Sequence, residues 1–242
     1  MLLVLAASGA TSSASLADQL ADDEPAGHAA TEGPTLGAET TESVHAGSRC
    51  DPDAPVRAFA VVAINVEVTL NRFLDYDPQG RMYVLEDDLP RVRQEEAQNR
   101  AARAGQAEPG VSIGLQGDAI QPLTLRVNQG DCVHISLRND LGGGEPASLH
   151  LHGSAQFVAG LGQPAIATNR AATADPGETV EYQWMVAPDE PEGTHYFHSH
   201  GDDREQSSHG LFGALIVEPA GSSYLDPRTG RVESSGWDAI VR

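Results

Sequence analysis

Lysine is missing from this 242-residue chain. All 15 cationic side chains are arginines, set against 35 aspartates and glutamates, for a formal net charge of −20. Such an excess repels polyanions, which argues against nucleic acid and anionic membrane surfaces as partners and favours cations. Cysteine is scarce: Cys50 and Cys132 are the only two, enough for one disulfide in an oxidising compartment or for two free thiols. The apolar run that opens the chain, Met1 to Ala10, is too short to cross a membrane. What is present, 40% hydrophobic and 21% charged residues, describes a soluble globular protein large enough to fold around a core.

The opening run gives way to small and hydroxyl residues, as the end of a secretory signal does, without the basic start of such a signal. Export to a periplasm or the cell exterior is the expectation. From Ser12 to about Arg49 bulky side chains almost disappear, and a segment of this kind buries too little surface to offset its ordering entropy. Residues 1–50 therefore read as a signal-like, disordered leader, in which His28 and His45 are solvated.

Beyond Ala58 the pattern is mostly period two. Val62, Ile64, Val66, Val68 and Leu70 alternate with smaller or polar residues, which predicts a strand buried on one side. The alternation recurs at Leu123–Val127, Val133–Leu137, Val180–Val186 and Phe212–Val217, between turn signals such as Asn128-Gln129-Gly130-Asp131 and Asp175-Pro176-Gly177. On the Val133–Leu137 strand Cys132, His134 and Ser136 share the face turned from the core, where the end of the leader can reach the sulfur. Only Arg91 to about Gly105 looks helical, and it reads as an insertion on the outside. Short strands with Gly and Pro turns and no strand–helix alternation predict an all-β sandwich spanning 51–221, with 222–242 as the start of a linker to a further domain.

Two short histidine pairs stand out against this background: His150-Leu151-His152 and His198-Ser199-His200. Residues i and i+2 of a strand project from the same face, so each pair is a two-pronged imidazole clamp. Four neutral imidazoles without carboxylate or thiolate suit copper, zinc or iron, and affinity alone favours Cu(II). The other histidines read differently. His195 is expected in the core beside Phe197, His134 on the surface, and His209 is a candidate for orienting a ligand. Asp202, Asp203 and Glu205 follow the second clamp as a solvated acidic loop or, functionally, as a proton relay led by Asp202 or an acidic mouth for a cation.

The stretches Ile120–Val133, Ser148–Gly153, Gly193–His200 and Gly210–Val217 resemble the first cupredoxin, or plastocyanin-like, domain of a multicopper oxidase, and the resemblance covers roughly Ala58 to Pro219. Asn65–Arg72 and the long segment before Gln121 resemble the large bacterial type, which includes manganese-oxidising members. The resemblance implies a cupredoxin-like Greek-key sandwich and a trinuclear copper centre held by eight histidines, four from this domain and four from a further cupredoxin domain. It implies that His150 binds the type 2 copper, His152 with His198 one type 3 copper, and His200 the other. The complete protein would oxidise a metal ion or an organic reductant and reduce O2 to water. A type 1 copper needs a Cys thiolate with two His, and here Ser199 stands between the second pair with neither cysteine near it. This chain therefore carries no type 1 site and is expected to be inactive alone. Two other readings use the same residues: a non-catalytic copper-binding module, and a cupin-like mononuclear metal enzyme. The cupin reading wants a Glu where this chain has Gln156, and a lone later His.

Overall fold

The computed structural model describes residues 50–110, 117–152, 173–236 and 238–242. The signal-like run, the leader through Arg49 with His28 and His45, and Gln156 lie outside them. In chain order come β1 (Val56–Asn65), the hairpin β2 and β3 (Val68–Thr69, Tyr76–Asp77), β4 (Arg81–Leu85), α1 (Leu89–Arg103), β5 (Leu123–Asn128) and β6 (Cys132–Asp140). Then follow β7 (Ala147–Ser148), β8 (His150–Leu151), β9 (Thr173–Ala174), β10 (Thr179–Met185), β11 (Gly193–His198), α2 (Asp203–Ser208) and β12 (Phe212–Glu218). Three short strands finish the chain: β13 (Tyr224–Leu225), β14 (Val232–Glu233) and β15 (Ile240–Val241).

Two four-stranded sheets face each other, ordered β10-β6-β1-β4 and β5-β12-β11-β8. Each contains one parallel pair, β1 with β6 and β12 with β5, and is otherwise antiparallel. From β5 to β11 the successive strands β5, β6, β8, β10 and β11 alternate between the two sheets, while β1–β4 and β11–β12 pair within one, the connectivity of a Greek-key sandwich rather than a meander. Between the sheets the inward residues of both interdigitate: Val61, Ile135, Leu137 and Trp184 from one, Leu125, Phe197 and Leu215 from the other, each at most 2% exposed. The period-two reading of β5, β6, β10 and β12 thus gives the faces as well as the strands.

In β1 the faces are exchanged. Phe59, Val61 and Ala63 point into the sandwich, while Val62 and Ile64 join Val66, Met82, Val84, Val92 and Ile120 in a second apolar cluster outside it. The strand is buried on both sides because α1 covers the outer face, with Val92 fully buried. Leu70, expected to continue the strand, is 64% exposed beyond the end of β2. The expected helix is present, starting two residues early at Leu89-Pro90, where proline at the first turn lacks only an N–H that has no intrahelical acceptor. It serves as a second lid on the sheet.

Cys50 and Cys132 form a disulfide. Cys132 does lie on the outer face of its strand, yet it is 2% exposed, with Cys50 bonded to its sulfur and its N–H donating to the Pro55 carbonyl. At the other end Tyr224 of β13 is buried and donates its hydroxyl to Asn128 Oδ1. Arg126 binds Glu218 (2.6 Å) and the Gly236 carbonyl (2.8 Å), which joins residues beyond 221 to the sandwich. No helix among the described residues is long and apolar enough to cross a membrane.

Candidate metal centre

The two histidine pairs meet because β8 is the edge partner of β11. In this antiparallel register His150 lies opposite His198 and Leu151 opposite Phe197. The pairing continues through the His152 N–H, which donates to the Tyr196 carbonyl at 2.7 Å. Leu151 and Phe197 point into the core, so the alternation turns all four imidazoles to the outer face. Their rings form a compact group: His150 centroid lies 4.8 Å from His152, 5.7 Å from His198 and 4.3 Å from His200, and His152 stacks on His198 at 5.0 Å.

Protonation states follow from the hydrogen bonds. His198 Nδ1 lies 3.1 Å from the Ser199 carbonyl, which can only accept, so Nδ1 carries the proton and the neutral ring keeps its lone pair on Nε2. Ser207 Oγ of α2 stands behind the same nitrogen at 3.5 Å. His198 Nε2 lies 2.9 Å from His152 Nε2. Both ring nitrogens of His200 are buried and have no hydrogen-bond partner among the described residues. Buried polar atoms are normally satisfied, so an imidazole with both nitrogens unsatisfied, beside two facing Nε2 atoms, could serve as a metal donor. An all-imidazole donor set fits copper.

The surroundings are equally specific. Gly213 lies opposite Phe197, and a Cβ there would come within 2.4 Å of the Phe197 ring and of the Leu123 carbonyl oxygen. The Phe197 ring thus packs against glycine in the core, directly before His198. Gly201 is pressed onto Pro146, whose carbonyl oxygen would be 1.9 Å from a Cβ. Gln206 of α2, fully buried, donates to the Pro146 carbonyl (2.8 Å) and accepts from the Asp202 N–H (3.1 Å). Glu145, held by Arg81 at 2.7 and 2.6 Å, has its carboxyl lowered below the ordinary value, first by the Arg81 hydrogen bonds.

Other candidates fall elsewhere. Asp202 is exposed just before α2, so the acidic stretch is a helix start rather than a loop. His209 binds Asp77 (2.6 Å), with Glu205 at 3.6 Å, and orients none of the four histidines through these contacts. His195 is half-buried rather than core, its Nε2 3.5 Å from Glu190, because it stands at the open end of β11. His134 is exposed as expected and lies 2.9 Å from Gln183 Nε2. Cys50, Cys132 and His134 converge, but the sulfurs are bonded to each other and are not ligands in this state. The sequence reading missed Ser148, Ser199, Gln206 and Ser207. Period-two alternation puts Ser199 on the core face, where a hydroxyl must be satisfied, and that was the available signal.

A Greek-key sandwich of two such sheets is a cupredoxin-like domain. The chain belongs to the multicopper oxidase family: the family model described as Multicopper oxidase matches residues 97–222. It is 38% identical over 118 residues to a probable nitrite reductase-hydroxylamine oxidoreductase fusion protein of Kuenenia stuttgartiensis, covering 47% of this chain and 13% of that protein. It is 34% identical over 109 residues to an L-ascorbate oxidase of Cucumis sativus, covering 45% of this chain and 17% of the oxidase. A solved multicopper oxidase of Pseudomonas thermotolerans aligns at TM-score 0.45 and 20% identity over 69% of this chain and 30% of that one. The chain thus spans under a fifth of the length of these two relatives. Family membership implies copper.

Proposed function

We propose that this domain contributes half the ligands of a trinuclear copper centre in a larger oxidase, with His150 on the type 2 copper, His152 and His198 on one type 3 copper and His200 on the other. The observation that carries this reading is the convergence of four outward imidazoles across the β8–β11 pair, with His200 unsatisfied and His152 and His198 facing through Nε2. Bound copper supplies the one-electron steps by which four electrons reach O2 and reduce it to water.

The chain's own residues bind and orient. The Ser199 carbonyl fixes the His198 tautomer so that Nε2 is the ligand atom, an outer contact of the kind that orients metal-bound histidines. Phe197 and Leu151 seal the core beneath the clamp against water. The outward face of the clamp is where a further cupredoxin domain, in the same chain or another, completes the ligand set, so this chain alone is inactive. Electrons enter at a type 1 copper elsewhere, since both sulfurs here are in the disulfide. The electron donor is a metal ion or an organic reductant. The apolar run Met1–Ala10 acts as an export signal, and the protein works in a periplasm or outside the cell. Asp202, exposed two residues past His200, serves as proton relay.

The test is O2 consumption by the complete protein with His150→Ala, His152→Ala, His198→Ala or His200→Ala, each expected to abolish turnover. Full activity in any one of them contradicts the assignment. Asp202→Asn is expected to slow turnover and move its pH profile, and an unchanged profile removes the relay.

A further inference from the structure

We infer that Ser148 and Ser199 are positioning residues that set the spacing between the two histidine pairs, an inference that rests on the reading of those histidines as metal ligands. β11 ends at His198 and β8 begins at His150, so the next two positions in register, Ser199 opposite Leu149 and His200 opposite Ser148, fall outside their ladder. Side-chain hydroxyls take over there. The Ser148 N–H donates to Ser199 Oγ (3.1 Å), the His200 N–H donates to Ser148 Oγ (2.8 Å), and the Gly201 N–H donates to Ser199 Oγ (3.1 Å). Each serine reaches from one clamp to the backbone of the other, and both are fully buried.

The pair is anchored from the opposite sheet. Tyr83 of β4 donates its hydroxyl to the Ser148 carbonyl and also contacts the Ser199 hydroxyl. Ser199 Oγ already accepts two N–H groups, so its own proton points to the Tyr83 oxygen. This closes a ring: Ser199 to Tyr83, Tyr83 to Ser148, Ser148 back to Ser199. One residue on, the Leu149 N–H donates to Tyr182 Oη at 3.0 Å. Burial holds both phenols well above their ordinary pKa, so both stay protonated. The peptide between Ser148 and Leu149, just before His150, is therefore fixed through the core, and the His200 backbone is tied to it through the serines.

The consequence concerns His200, which has no strand of its own. With the Ser199 hydroxyl removed, two buried N–H groups lose their acceptor, and with the Ser148 hydroxyl removed, one does. The 4.3 Å separation of the His150 and His200 rings then has no fixed value.

The experiment titrates Cu(II) against a competing chelator in the 242-residue chain and in Ser199→Ala, Ser148→Ala, Val127→Ala and the fourfold His→Ala variant, with thermal unfolding and the Cu(II) electron paramagnetic resonance spectrum of each. Val127 is buried in β5, away from the clamp, and controls for lost stability. Loss of an outer contact to a ligand commonly costs about 10–100-fold in metal affinity. The expected result is a weakening of about that size in Ser199→Ala, a smaller one in Ser148→Ala, a changed nitrogen hyperfine pattern in both, and near-unchanged binding in Val127→Ala. If Ser199→Ala does not fold, Ser148→Ala alone decides. Serine variants that bind copper like the wild type, while the fourfold variant does not, overturn the positioning role and leave the ligands standing. Equal uptake by the wild type and the fourfold variant overturns both.

Discussion

Removing the disulfide is a perturbation whose size can be worked from the loop it closes. Cys50 and Cys132 are separated by 82 residues. In the chain-entropy treatment such a loop lowers the entropy of the unfolded chain by about 15 cal/mol/K, or about 4.5 kcal/mol at 25 °C. The double variant Cys50→Ala/Cys132→Ala removes the cross-link without burying a new hydroxyl at position 132, which is 2% exposed. For a chain of this size about 1 kcal/mol moves the unfolding midpoint by about 2–4 °C, so the expected fall is about 9–18 °C. The assay is thermal unfolding by circular dichroism, with dithiothreitol-treated wild type as a second route to the same state. Since the cross-link ties the segment before β1 to β6 and the histidines lie on the other sheet, copper stoichiometry is expected to stay the same. A fall below about 2 °C, or two thiols titrating in the native unreduced protein, refutes the reasoning.

Gly213→Ala drives a methyl to within 2.4 Å of the Phe197 ring and the Leu123 oxygen; overpacking of this kind costs about 1–3 kcal/mol, and both the unfolding midpoint and Cu(II) affinity are expected to drop, whereas an unchanged midpoint contradicts the packing described. The Arg81–Glu145 pair predicts a pH dependence. A carboxyl depressed below its ordinary value of 4.5 contributes stability that is complete above that value and lost as pH falls through the lower folded one. Glu145→Gln is expected to be less stable near neutrality and to flatten the acid limb below pH 4.5, and an unaltered acid limb would show that the pair does not contribute.

The histidine clamps were legible because strand alternation is local: His150 with His152, and His198 with His200, share a face whatever surrounds them. Their meeting was not, since the pairing of β8 with β11 joins segments far apart in sequence. Two-sided burial of β1 was hidden for a related reason. The helix that covers it buries only Val92 and Asn99, leaving a weak apolar stripe to read. α2 was invisible because Asp203–Ser208 is polar throughout and lasts only six residues. Cysteine arithmetic stopped at two alternatives, and only the approach of Cys50 to β6 decides for the disulfide. The serines carry no signature by composition. Their role comes from a strand register that ends at His198, two residues before His200.

The central claim is that His150, His152, His198 and His200 together hold copper. The most direct measurement is the metal content and absorption spectrum of the 242-residue chain after loading with Cu(II) and removal of excess, beside the fourfold His→Ala variant. Copper retained by the wild type and lost from the variant, with no intense blue thiolate band, is the predicted result. Equal retention by both, or retention of a single iron or manganese in preference to copper, would contradict it.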